Sequence, residues 1–414
     1  LLHAHFRRDK SAQTSARAVR FHAYCAERGE SLRRHALHDA IDEHMRAVDG
    51  HRYWGWPMWP EELSGPTLPG VEAFEQAHAG LVEFHAWLQW LADEQLGEAQ
   101  ALGRKLGMSI GLYGDYAVGV NPSGSETWSD QALYRKGAGV GAPPDALALK
   151  GQDWGIPPQD PNVLMAEQYR PFRNLVAANM RHFGALRLDH VMALFRQWWV
   201  PAGLGSTEGG YVHYPLDDLM SVLALESERH GCLVVGEDLG TVPTEMREAM
   251  AERAVYSYRV VLFEKHDNGR FRQPGEYPRR SIATVTTHDL PTLRGYWTAS
   301  DIELRRCLTL YPNDEICELV RQERIHDRRA LLDALAEQGV AVGGDAGDAG
   351  GFSEELADAI HIFLARTASA LVVLQAEDLA GMVEPVNVPG TSDEHANWQR
   401  KMCTDLAEVF ARAR

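Results

Sequence analysis

No stretch of the 414 residues approaches the ~20 consecutive apolar residues of a membrane-spanning helix, and no charged-then-apolar leader opens the chain. Cysteine is scarce as well. The five present, Cys25, Cys232, Cys307, Cys317 and Cys403, are odd in number and widely spaced, with no CxxC pair and no histidine cluster at zinc-ligand spacing. That pattern excludes a disulfide framework and a zinc finger, and it fits free thiols in a reducing compartment. A cytoplasmic protein that needs no metal and no cofactor is expected. Basic charge is short too, with 41 Lys and Arg against 58 Asp and Glu and a net charge of −17. Such a field repels phosphate backbones and anionic lipid, so neither nucleic acid nor a membrane surface is an expected partner. The first apolar run is followed by no GxGxxG, which counts against a dinucleotide-binding sheet.

What remains has a globular composition, 45% hydrophobic and 24% charged, long enough for one large α/β barrel with insertions or for two ordinary domains. Eleven Trp and 13 Tyr supply flat faces of the kind on which sugar rings stack, although most aromatic side chains in any protein are core. The chain starts at Leu1 in sequence that already reads as helix, so the natural N-terminus is expected upstream.

Residues 1–106 read as a mainly helical subdomain. From Val71 to Leu106 the positions Phe84, Trp87, Leu88, Leu91 and Leu96 recur at helical spacing. The Pro-rich stretch Tyr53 to Pro60 reads as a packed aromatic loop. From residue 107 the texture changes to short apolar runs between longer helical or Gly/Pro-rich segments: Met108 to Tyr113, Ala185 to Leu188, Cys232 to Gly236, Tyr258 to Phe263, Ser281 to Val285 and Leu371 to Leu374. Runs of this length alternating with helices predict parallel strands buried on both faces, and an α/β fold of the (β/α)8 TIM-barrel type over residues 107–414. Several runs end in acids, namely Asp115, Asp189, Glu237, Asp289 and Glu377. In a βα barrel, groups at the C-terminal strand ends converge on one mouth. The Gly- and Pro-rich segment 136–161 is expected to be a loop forming the wall or lid of a cleft, and Gly339 to Gly351 a surface loop.

Three segments carry chemistry. In Leu186-Arg187-Leu188-Asp189-His190, strand alternation puts Arg187 and Asp189 on one face, where the pair is either a nucleophile with its supporting cation or a buried structural ion pair. In Val235-Gly236-Glu237-Asp238, only one of the two acids can face the site. The longer Glu237 reaches a leaving-group oxygen, and Asp238 reads as a helix cap or a partner of loop amides. In Thr287-His288-Asp289, the pair either donates to sugar hydroxyls and adds a second anion, or caps the following helix. Neighbouring strands lie about 4.8 Å apart, the scale of the roughly 5 Å between the carboxyls of a retaining glycosidase.

GLYGDYAVGV, GAPPD with GQDWGIPP, GALRLDHVM, GEDLGTVP, THDLPTL, and EDLAG with NVPGT and NW resemble the catalytic segments of the amylomaltases, or 4-α-glucanotransferases, a branch of the α-amylase clan. The resemblance runs from about residue 15 to residue 400. It implies Asp189 as nucleophile, Glu237 as acid/base and Asp289 as transition-state carboxylate, with Arg187, His288, Asp115, Asp145, Gln152, Trp154 and Asn387 as substrate-binding residues. It also implies maltooligosaccharides and other α-1,4-glucans as partners, in a retaining transfer to the 4-hydroxyl of glucose or another glucan. A glucan hydrolase, an inactive glucan-binding fragment and a metal hydrolase are the alternatives. Two opening βα units of the family have no match here, so the visible strands correspond to the third through the eighth. A fragment of this kind is expected to be poorly soluble or inactive on its own.

Overall fold

The helical spacing before residue 106 produces four α-helices, α1 (Leu2–Ser11), α2 (Ala16–Asp49), α3 (Pro69–Ala77) and α4 (Ala79–Lys105). The Ser15 hydroxyl accepts the Ala18 amide at 3.1 Å and so starts α2. Gly29, at φ +54°, kinks it, in a conformation that a side chain would strain. Phe84, Trp87 and Trp90 of α4 meet Phe21, Leu37 and Ile41 of α2 in one apolar core, while Leu96 is exposed. The aromatic loop joins the same core through buried Trp56 and Trp59. Trp128 closes it, fully buried and donating its indole N–H to the Leu63 carbonyl at 2.9 Å. Trp128→Ala is expected to cost roughly 3–5 kcal/mol by opening a cavity there, read as a lower urea midpoint.

The computed structural model describes residues 2–11, 15–144, 150–240, 242–340, 351–391 and 393–412, so most of the surface loop expected at Gly339 to Gly351 lies outside the described residues. These residues form two compact units, Leu1–Val234 with Val242–Ala249, and Val235–Thr241 with Met250–Arg414. None of the described helices is long and apolar enough to cross a membrane.

The strands among the described residues are β1 (Tyr113–Tyr116), β2 (Ala138–Ala142), β3 (Gln152–Ile156), β4 (Ala185–Leu188), β5 (Arg196–Pro201), β6 (Gly210–His213), β7 (Leu233–Gly236), β8 (Tyr256–Val260), β9 (Ser281–Thr284) and β10 (Leu371–Val373). In the first unit the hydrogen-bonded order is β1-β4-β7, through the start of β7, and in the second it is β7-β8-β9-β10, through the end of β7. Within the first unit β1 runs parallel to β4, and the Leu233 amide at the start of β7 donates to Gly184 at 3.0 Å. Within the second, the end of β7 pairs in parallel with β8, β8 with β9, and β9 with β10. Every residue of β4 and of β9 is buried, as strands covered on both faces require. Helices alternate with these strands, for example Leu216–His230 before β7, which Gly231 ends in the left-handed conformation at φ +57°. This is the α/β, TIM-barrel type of fold.

The structure differs from the sequence reading in three places, one of them the run Tyr258 to Phe263, where the strand is Tyr256–Val260 and Val261–Phe263 forms a 3-10 turn. The first strand is Tyr113–Tyr116 rather than Met108 to Tyr113, so Asp115 lies within the strand and not beyond it. Segment 136–161 is not simply a loop, because it contains β2 and β3 of an antiparallel sheet ordered β3-β2-β5-β6. Glycine made these strands hard to see. A Cβ on Gly141 would run into the Gln152 carbonyl, so the close approach of β2 to β3 requires the residue that otherwise signals a loop.

Candidate active site

At the end of β4, alternation brings Arg187 and Asp189 to one side, and Arg187 Nη2 lies 2.8 Å from Asp189 Oδ1. Asp115 is the register partner of Arg187 on β1. Arg187 Nη1 donates to both Asp115 oxygens, at 2.8 and 2.9 Å. An arginine only 7% exposed is thus held by two carboxylates. Its fork geometry fixes the rotamers of both, which a lysine could not do. The Asp189 amide donates to the Tyr116 carbonyl at 3.0 Å, and the chain then turns sharply at His190, φ +45°. Burial holds the His190 imidazole below the usual histidine range against the opposing pull of Asp189, which leaves the ring neutral at pH 7.

Gln152 and Trp154 share one face of β3, and the indole N–H of Trp154 donates to Gln152 Oε1 at 3.0 Å. The Trp154 ring stands edge-on to His190, centroids 5.3 Å apart. The segment expected to be a loop walling a cleft thus contributes a strand that delivers an aromatic ring next to the Asp189 turn. Asp145 lies outside the described residues. A cavity of about 270 Å³ opens here, lined by Asp115, Asp189 and His190 together with Tyr116, Gln197 and Tyr214. It is near the small end of ligand clefts, which start at roughly 300 Å³.

The second unit carries the other acids. Glu237 follows β7 directly, 9% exposed, and its Oε1 accepts the Leu239 amide at 2.9 Å. Its neighbour Asp238 is tied into the sheet, with Oδ1 accepting the Tyr258 amide at 2.7 Å and Oδ2 lying 3.3 Å from Arg259 Nη2. Beyond β9, the Asp289 amide donates to Thr287 Oγ1 at 3.2 Å. The Asp289 carboxylate is held from two sides, by His288 Nε2 at 3.0 Å and by Asn387 Nδ2 at 2.6 Å.

Sequence reasoning missed the support behind Asp289. Asp378, buried, accepts the Leu293 amide at 2.7 Å and the Thr286 hydroxyl at 3.2 Å, while Gln375 Nε2 donates to the Thr286 carbonyl at 2.8 Å. The acidic pair after β10 was visible, but Glu377, the member singled out, turns to Arg400 at 3.3 Å. Desolvation pushes the Asp378 carboxyl up to about 6, against the two hydrogen bonds that favour its ionised form. The folded state therefore holds this proton more tightly than the unfolded chain, where an aspartate titrates near 3.9. Stability from this group is present in full below pH ~4 and is lost as pH rises through about 6. Asp378→Asn, which keeps an oxygen for the Leu293 amide, should gain up to about 3 kcal/mol on the parent between pH 4 and pH 7.5. Urea unfolding of both proteins at the two pH values measures that gain.

Among the described residues no group of three or more His, Cys, Asp or Glu is arranged to hold a metal ion.

The sequence profile of a family described as 4-alpha-glucanotransferase matches residues 1–406. A 4-alpha-glucanotransferase of Haemophilus influenzae is 39% identical over 410 residues, 98% of this chain and 58% of that protein. One from Mycobacterium bovis is 39% identical over 367 residues, 86% of this chain and 50% of its own length. The chain spans about half the length of the curated relatives it matches. Among solved structures, the amylomaltase of Corynebacterium glutamicum superposes with a TM-score of 0.81 at 34% identity, over 94% of this chain and 53% of that one. The amylomaltase of Streptococcus agalactiae in complex with acarbose, 18% identical with a TM-score of 0.74 over 98% of this chain and 75% of its own, shares the fold.

Proposed function

Because the chain belongs to the 4-alpha-glucanotransferase family, we propose that it transfers α-1,4-glucan segments by retaining double displacement. Asp189 attacks the anomeric carbon while Glu237 protonates the departing glycosidic oxygen, giving a covalent glycosyl ester. Glu237, now ionised, takes the proton of an acceptor 4-hydroxyl, and that oxygen displaces Asp189. Asp289, His288 and Asn387 bind hydroxyls of the ring under attack, as do Arg187 and Asp115. Gln152 and Trp154 of β3 belong to a wall along which the glucan lies, and Asp145 is assigned to glucan binding by its place in the family motif alone. In this reading residues 1–106 are a helical insertion into a catalytic barrel of residues 107–414.

The observation that carries the reading is the Arg187 fork at the end of β4, which lies 2.8 Å from Asp189 and joins it to Asp115 on the neighbouring strand β1. A nucleophilic carboxylate needs this kind of fixed rotamer, because a small misplacement is costly in rate. The chemistry uses no metal or cofactor. The ligands are maltooligosaccharides and other α-1,4-glucans, neutral molecules compatible with a chain of net charge −17. Five free thiols support a cytoplasmic setting. Incubation with maltotriose tests the proposal: transfer yields glucose and a ladder of longer oligosaccharides, whereas only shorter sugars would make the protein a hydrolase.

A further inference from the structure

Trp398 has a feature that packing does not explain. Its side chain is 61% exposed, yet its backbone sits at φ +61°. An aromatic residue in that region is strained, and such strain persists only where the surroundings impose it. They do so here through a knitted loop. The Trp398 amide donates to the Val386 carbonyl at 2.9 Å. Asn397 accepts the Val388 amide at 2.9 Å and donates to Thr391 Oγ1 at 2.9 Å. Between Val386 and Val388 lies Asn387, which grips Asp289. The Trp398 ring in turn lies 5.3 Å from that of His288, tilted by 47°, on the other side of the same carboxylate.

One loop thus fixes the Asp289 carboxylate and displays an indole beside it. A pyranose has an apolar C–H face and a rim of hydroxyls, so it could lie on the indole while its hydroxyls reach His288 and Asp289. We propose that Trp398 is a stacking residue for α-1,4-glucan, taking the face of the glucose unit bound next to Asp289. This rests on the reading of Asp289 and His288 as glucan-binding groups.

The test measures binding and turnover separately. In an Asp189→Asn background, calorimetric titration with maltotetraose should show Trp398→Ala and Trp398→Gly binding about tenfold more weakly, with Trp398→Phe recovering most of the loss. In the parent background, KM for maltotriose should rise about tenfold with kcat within a factor of about three, since stacking binds ground and transition states alike. Trp398→Gly relieves the backbone strain, so its Tm should equal or exceed that of the parent. Unchanged maltotetraose affinity in the Ala and Gly variants overturns the proposal, and so does a collapse of Tm in all three, which would make the side chain structural. Turnover retained by Asp189→Asn alone would instead overturn the mechanism on which the proposal rests.

Discussion

Asp189→Asn is expected to lower kcat for maltotriose disproportionation by about 10⁵-fold or more, the loss of some 7 kcal/mol of transition-state stabilisation that removal of a covalent nucleophile produces. The folded protein should change little. The amide oxygen still accepts from Arg187, whose charge Asp115 continues to balance with contacts at 2.8 and 2.9 Å. Maltotetraose binding should therefore stay near the parent value while turnover disappears. That separation distinguishes a lost nucleophile from a collapsed site. An ion pair with only a structural role predicts the reverse, with stability lost and turnover largely kept.

Glu237→Gln should lower kcat for maltotriose by roughly 10²–10⁴-fold, the range that general acid–base assistance supplies. The glutamine oxygen can still accept the Leu239 amide that Glu237 accepts at 2.9 Å, so the loop need not move. The two halves of the reaction should respond differently to chemical help. An α-maltosyl fluoride donor carries a leaving group that needs no proton, so its first step should run at close to the parent rate. The glycosyl ester should then accumulate, because no base activates the acceptor. Azide, which needs no deprotonation, should release it as the α-glycosyl azide, inversion at each of the two steps giving overall retention. Equal damage with maltotriose and with the fluoride, and no effect of azide, would assign Glu237 a different role.

The parallel strands β4, β7 and β9 were legible because a strand buried on both faces reads as a continuous apolar run, and each lies within a residue or two of where such a run ends. Local alternation also put Arg187 and Asp189 on one side of β4, and the structure joins them at 2.8 Å. The contact between Arg187 and Asp115 could not be read in the same way, since it depends on the register between strands 72 residues apart. Adjacent acids posed a related difficulty. In Glu377-Asp378, as in Glu237-Asp238, burial depends on how the chain leaves its strand, and the buried Asp378 was passed over for its neighbour. The β2-β3 pair was hidden by the glycines that let it form, and the left-handed backbone of Trp398 leaves no trace in residue type. Features set by local period were visible in the sequence, whereas those set by register or close approach required the fold.

The most direct test is to trap the intermediate. The Glu237→Gln protein is mixed with α-maltosyl fluoride without acceptor, quenched in acid, digested, and its peptides are weighed. A maltosyl adduct on the peptide that contains Asp189, absent when Asp189 is also replaced by Asn, is the predicted result. An adduct on any other residue, or none while fluoride is released in a burst, would contradict the assignment of Asp189 as the nucleophile.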